Sequence, residues 1–407
     1  MDARRAVERA ARGSYGRLLA FLAARSRDVA AAEDALGDAF RVALEAWPRN
    51  GVPDKPEAWL LTVARRRLTD RARHACVQAG AIPTLLAATE EAHTLASAET
   101  MFPDERLKLL FICAHPAINA SARTPLMLQT VLGLDAARIA SAFLVQPAAM
   151  GQRLSRAKAK IRDAGIAFDV PESKELPPRL AAVLEAIYAA YGSGWEDVAG
   201  ADPRRKGLAR EAVELCRLLL RLLPGEPETQ GLLALMLHCE ARRAARRNTD
   251  GAYVPLSEQN VALWSAPMID EAQQMLVAAG RTGRIGRFQL EAAIQAVHTT
   301  RAWTGHTDWA AIALLYEGLV RLAPTVGALI GRAAAIAEAR DAETGWALLR
   351  AVPEDAVTDY QPYWALAAHL LKRLGRAEEA MVAYSRAIGL CEDQAMRVFL
   401  MRQAPAR

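Results

Sequence analysis

Apolar residues recur at helical spacing along most of the chain, and the polar face beside them changes character from segment to segment. Between residues 28 and 47, Leu36, Phe40, Ala43, Leu44 and Trp47 form the apolar stripe of a helix whose other face carries Asp28, Glu33, Asp34 and Asp38. That helix is predicted to stop at Pro48, where the loop PRNGVPDKP leads into EAWLLTVARRRLTDRARH, Glu57 to His74. In this second helix Trp59, Leu60, Val63, Ala64 and Leu68 share one broad side, and Thr62, Arg65, Arg66, Thr69 and Arg73 lie opposite. Arg67, Asp70 and Arg71 project near the apolar arc, so either the core face ends there or Asp70 pairs with Arg67 or Arg73. One side can pack while the other touches phosphates; a merely solvated basic face is the alternative.

A second amphipathic segment, LDAARIASAFLVQPAAMGQRLSRAKAKIR from Leu134 to Arg162, reads as helix, tight turn, helix. Asp135 can cap the first helix and Pro147 suits the first turn of the second. Met150, Leu154, Ala157 and Ile161 make a packing stripe there. Gln152, Ser155, Arg156 and Ala159 point the other way, with Arg153, Lys158, Lys160 and Arg162 along the margins. A helix presented to a major groove has this pattern, since Arg and Gln can read base edges while flanking cations hold the backbone. An ordinary helical hairpin of a repeat protein is the competing reading. Between the two segments, residues 77 to 103 carry small residues and a few acids, as a connector would.

From about Leu176 the pattern becomes one of stacked helical pairs. Ala212, Cys216, Leu219 and Pro224, then Ile312, Tyr316, Leu319 and Pro324, then Ala380, Tyr384 and Ala387, share the spacing of the second helix of a tetratricopeptide repeat. The fullest match is WALAAHLLKRLGRAEEAMVAYSRAIGL, with Trp364, Leu371, Gly375, Ala380, Tyr384 and Ala387 at packing positions. Residues 240 to 287 break the period and read as a long insertion whose arginines form a solvated face.

Ala, Leu, Arg and Glu dominate and alternating β-branched stretches are scarce, so an all-α fold is expected, in two to four domains over 407 residues. A net charge of +5 is only mildly basic, but the arginines cluster at 65 to 73, 153 to 162 and 242 to 247, and local patches outweigh the total. Five scattered cysteines without CxxC spacing argue against a disulfide framework and for a reducing cytoplasm. His74, Cys76, Cys113 and His115 do not match a common zinc spacing, so no metal or other cofactor is expected. No apolar run approaches roughly 18 residues, which gives no sign of a membrane span. His238, His298 and His369 lie in apolar helical patterns, and no nucleotide-binding, nucleophile or metalloprotease motif occurs, so no catalytic residues are assigned and the chain is not expected to be an enzyme.

The order acidic helix, loop, tryptophan-led arginine helix, connector, helix-turn-helix resembles bacterial extracytoplasmic-function (ECF) sigma factors of RNA polymerase. AAEDALGDAF looks like their region-two helix that grips core polymerase, PEAWLLTVARRRLTDRARH like the helix that melts and reads the minus-10 element, and Leu134 to Arg162 like the region-four reader of the minus-35 element. FPDERLKLLFICAHPAI and LPPRLAAVLEAIYAAY extend the similarity to the subgroup with a long tetratricopeptide-like C-terminal extension.

The resemblance implies sigma region 2 over residues 1–76, a linker over 77–106, region 4 over 107–170 and a TPR-like extension over 171–407. It implies core-polymerase docking by Glu33, Asp34 and Asp38. Contacts to single-stranded minus-10 DNA fall to Arg49, Asn50, Lys55, Arg65, Arg66, Thr69 and Arg73, with Trp59 a core anchor. Contacts to the minus-35 duplex fall to Ala149, Gln152, Arg153, Ser155, Arg156 and Lys158. Its partners are core RNA polymerase, promoter DNA and an unknown protein, or the sigma regions themselves, on the repeats. Gly37, Arg66, Ala149 and Gly151 depart from the family's usual residues, which bears on promoter preference, and Cys113, Ala114, His115, Pro116 replace the subgroup's usual Cys-Cys-His-Pro, which argues further against a metal site. The rival is a stand-alone helix-turn-helix regulator whose repeats sense a ligand or peptide; a repeat scaffold with incidental basic helices is a third reading.

Overall fold

The structure is a computed structural model that describes residues 3–79, 104–143, 145–172, 174–196 and 208–405. Among the described residues all regular structure is helical, apart from one isolated antiparallel bridge between Arg247 and Tyr253. The fold is therefore all-α, as the composition predicts. Most of the connector, residues 80–103, lies outside the described residues. The chain divides into two compact units, Met1–Ser193 and Gly194–Arg407.

The first unit begins with α1 (Ala3–Ser26), α2 (Val29–Asn50) and α3 (Pro56–Ala79), which pack on one another. Leu18, Leu19 and Leu22 of α1 meet Leu36 and Ala39 of α2 and Leu60 and Ala64 of α3 in a solvent-free core. Asp28 caps α2, accepting the Ala31 N–H at 3.0 Å. The helix predicted to end at Pro48 instead runs to Asn50. A proline there forfeits a single backbone bond in the last turn, and the stop comes from Gly51, whose φ of 85° turns the chain away while its N–H reaches the Trp47 carbonyl at 3.1 Å.

Four short helices follow in the same unit: α4 (Arg106–Cys113), α5 (Ala120–Leu132), α6 (Ala136–Ala142) and α7 (Pro147–Asp163). A longer one, α8 (Leu176–Glu196), begins here as well. α5 lies against α1 closely enough that a Cβ on Gly16 would stand 1.7 Å from the Val131 carbonyl oxygen. α7 packs on both α5 and α2. The two segments that the sequence separates by a connector thus share one compact body.

The second unit holds α9 (Leu208–Leu222), α10 (Pro227–Ala241), α11 (Ala266–Gly280), α12 (Arg287–Thr299) and the single turn α13 (Arg301–Thr304). α14 (Trp309–Leu322), α15 (Val326–Ala339), α16 (Ala342–Arg350), α17 (Gln361–Arg373), α18 (Ala377–Gly389) and α19 (Gln394–Gln403) complete it. α10 is buried on every side, with Leu232 to Leu237 all inaccessible, and α9, α11 and α12 surround it. Gly231 makes room for the start of α12, because a Cβ there would lie 2.6 Å from the Gln289 nitrogen. Farther on, Leu371, Ala380, Tyr384 and Ala387 fill the interface of α17 with α18, and Gly375, at φ 73°, makes the turn between them.

One expectation fails in this unit. The arginines after α10 are not a solvated face: Arg242 is buried, and Arg243, Arg246 and Arg247 are half-buried. The chain leaves α10 through a 3-10 turn, Arg243–Arg246, and folds back over a small core of Ala241, Ala245, Trp264 and Ile269, which draws the run inward.

Candidate nucleic-acid interface

α3 owes its orientation to Leu60, Leu61 and Ala64, whose burial against α1 and α2 turns the opposite stripe outward. Arg66 and Arg67 are exposed. Arg65 is half-buried instead, its guanidinium 4.9 Å from the centroid of the Phe21 ring, which Arg25 also approaches at 4.1 Å. Burial, then the charge of Arg25, lowers the Arg65 pKa. The Thr69 hydroxyl donates to the Arg65 carbonyl at 3.0 Å. Arg67 reaches across to Asp38 of α2 at 4.0 Å, and Asp38 also meets Arg41 at 3.6 Å. The side chain of Arg73 lies outside the described residues.

Arg49, Asn50 and Lys55 are all exposed, but the first two close the last turn of α2, not the loop that the sequence predicts, and only Lys55 lies in the loop between α2 and α3. That loop is braced from below by Trp47 and Trp59, whose rings meet edge to face with centroids 5.5 Å apart. Trp59 thereby belongs to the packing under the loop.

The acids of α2 point in two directions. Asp34 is exposed and Asp38 half-buried on the side toward α3, whereas Glu33 turns toward α7. There Lys158 Nζ donates to Glu33 Oε2 at 2.5 Å and to Gln129 Oε1 of α5 at 3.1 Å. The two charged side chains are only 12% and 15% exposed. Burial raises the Glu33 pKa despite Lys158 beside it, and Glu33 in turn helps burial to raise the phenol of Tyr15. A longer contact, Arg162 to Asp28 at 3.9 Å, joins the same two helices near their ends.

α7 buries Met150, Leu154, Ala157 and Ile161, and this stripe leaves Ala149, Gln152, Ser155 and Arg156 exposed together. Pro147 occupies its first turn, and Asp135 accepts the Arg138 N–H at 2.9 Å at the start of α6. Arg153 is half-buried, its Nη1 at 3.5 Å from the Ser121 carbonyl, a weak tether. Beneath this surface Cys113 is a core thiol 3.6 Å from the Thr130 hydroxyl, and burial pushes it up to about 12. His115 Nδ1 accepts the Ala117 N–H at 3.1 Å.

The structure therefore brings Glu33 and Lys158, named for different partners, into contact with each other. Their contact spans 125 positions of sequence and has no local signature. The exposed set carries guanidinium, amide and hydroxyl groups, which can hold phosphates and base edges.

Residues 12–75, covering most of α1 to α3, match sigma-70 region 2. Residues 179–280 match a family of unknown function, DUF6596. No solved structure is significantly similar. An uncharacterized protein of Rhizobium meliloti (strain 1021) is 39% identical over 381 residues, spanning 93% of this chain and 90% of that protein. At that identity and extent the chain belongs to one family with the Rhizobium meliloti protein, and it carries a sigma-70 region 2 domain at its N-terminal end.

Proposed function

We propose that the chain is a sigma factor of the extracytoplasmic-function type, acting by binding and strand separation rather than covalent catalysis, in the cytoplasm. The observation that carries this reading is the region 2 match over α1 to α3, a bundle that presents Asp34 on α2 and Arg66 on α3 to solvent. Asp34 and Asp38 dock on core polymerase, where charge complementarity selects the partner. The segment from Arg49 to Lys55, the last turn of α2 and the loop after it, receives a base flipped from the non-template strand, and Arg65 and Arg66 hold the adjacent backbone. α6 and α7 act as a helix-turn-helix, with Gln152, Ser155 and Arg156 in the major groove of the minus-35 duplex. The C-terminal helical pairs regulate these steps.

On this reading the Glu33–Lys158 contact marks a resting state. Elements centred at minus-10 and minus-35 are roughly 25 base pairs apart, about 85 Å along duplex DNA at 3.4 Å per step. Helices joined by a 2.5 Å ion pair cannot engage both at once, so promoter binding requires α7 to leave α2.

Run-off transcription with purified bacterial core polymerase and DNA from upstream of this gene tests the proposal. A discrete start that needs both proteins, and is lost with Asp34→Arg while circular dichroism is unchanged, is the expected result. Duplex DNA binding with no affinity for core would replace it with the stand-alone regulator.

A further inference from the structure

At the end of α10 the C-terminal unit buries the guanidinium of Arg242 with no acid hydrogen-bonded to it among the described residues. His238 and Arg242 lie four residues apart and so on one face of the chain, where the end of α12 supplies Gln295, His298 and Thr299 and α13 opens with Arg301. Arg242 is 6% exposed. Its Nε donates to the His238 carbonyl at 3.2 Å and its Nη2 to the amide oxygen of Gln295 and, at 4.0 Å, to the Cys239 sulfur, while among the described residues its Nη1 has no hydrogen-bond partner. Arg301 donates to the carbonyls of Ser257 and, at 2.9 Å, Gln259, and its guanidinium lies 5.2 Å from the centroid of the Trp264 ring. Wholly buried His238 holds Nδ1 3.4 Å from the Thr299 hydroxyl and, among the described residues, leaves Nε2 without a partner. His298 packs edge-on against Trp309 at 5.4 Å.

Among the described residues, every hydrogen-bond partner of Arg242 and Arg301 is neutral. Burial, followed by the nearby guanidiniums, holds both imidazoles down to about 4, so they are uncharged at neutral pH. The same unit treats its other enclosed arginines differently. Arg243 meets Glu240 at 2.6 Å, Arg217 forks onto Glu271 at 2.8 Å, and Arg247 pairs with Asp393. A guanidinium taken out of water needs a counter-charge, which neutral acceptors do not supply. A water molecule could occupy a free N–H but would leave the charge uncompensated. The planar fork of an arginine suits the two oxygens of a carboxylate or phosphate.

We infer that Arg242 and Arg301 form a binding site for a small oxyanion, a carboxylate or phosphate group, with buried Arg242 as its floor and half-exposed Arg301 at its rim. The Thr299 hydroxyl gives its proton to the Ala296 carbonyl at 2.8 Å, so neutral His238 keeps its own proton on Nδ1, facing that hydroxyl oxygen, and packs beside Arg242 without donating to the anion. The site stands apart from the sigma-factor reading and does not require it.

Thermal unfolding of the full chain in low-chloride buffer, titrated with inorganic phosphate, acetate or chloride at matched ionic strength, tests the inference. Phosphate, acetate or both should raise Tm saturably beyond chloride, and the stronger of the two names the group preferred. Arg242→Met should abolish that response and leave the ligand-free Tm unchanged or higher, because it removes an unbalanced buried charge. Arg301→Gln should weaken the apparent affinity about tenfold, the loss of one charge-assisted contact, and decides alone where Arg242→Met does not fold. Arg66→Ala, on α3 of the other unit, should keep the full response. An oxyanion effect no larger than that of chloride, or one that survives both Arg242→Met and Arg301→Gln, overturns the inference.

Discussion

The arginine runs ARRRLTDRAR, residues 64–73, and ARRAARR, residues 241–247, are alike in composition and opposite in fate. In the first, the helix continues and only its apolar side is covered, so Arg66 and Arg67 stay in water. In the second, α10 ends, the chain turns back over Ala241, Ala245, Trp264 and Ile269, and the arginines are carried in with it. The difference teaches that a basic run is a surface only where its helix keeps an uncovered face. An enclosed cation depends on its partner, and an exposed one scarcely does.

The strongest way to break that comparison is to strand an enclosed carboxylate. Lys158→Met leaves Glu33 buried beside Tyr15 without its cation, and should cost about 3 kcal/mol in urea unfolding. Adding Glu33→Gln should recover most of the loss, since two neutral side chains carry no unpaired charge. A double variant as unstable as the single one would show that the packing of Lys158, rather than its charge, matters.

Asp393→Asn should cost about 1–2 kcal/mol by depriving Arg247 of its acid. Burial alone would raise the Asp393 carboxyl, but the Met396 N–H and Arg247 outweigh it and hold it below the usual carboxylate range. The folded pKa is depressed, so the stabilisation is present above the unfolded value of about 3.9 and is lost as pH falls through the folded one. The gap between wild type and Asp393→Asn should therefore be constant from pH 7 to pH 5 and close below about pH 4.

Arg153→Ala should weaken binding to minus-35 duplex about tenfold and lower the log-log salt slope by about 0.9, while exposed Lys372→Ala changes neither. Equal effects of the two variants would remove the recognition-helix assignment. The smallest effect belongs to the exposed run: Arg66→Ala should shift unfolding by less than about 0.5 kcal/mol. A loss as large as that of Asp393→Asn would mean that α3 is covered after all.

Much of the fold and part of the candidate site are legible in the sequence. The stripe Met150, Leu154, Ala157, Ile161 is buried and Gln152, Ser155, Arg156 is exposed, because a helical period assigns faces without reference to neighbours. The same period misled at 242–247, where the helix had ended. A usable signal stood just before it: LLALMLHCEA offers almost no polar face, which marks α10 as enclosed and its successors as candidates for burial.

By itself the sequence determined the all-helical class, the caps and turns, the apolar stripes and the region 2 pattern, since each depends on residues within a few positions of one another. Only the tertiary structure decided that Glu33 would meet Lys158 and that Arg242 would meet Gln295. Such pairings join residues far apart along the chain, and they follow from which helix faces are left to cover one another once every local preference has been met.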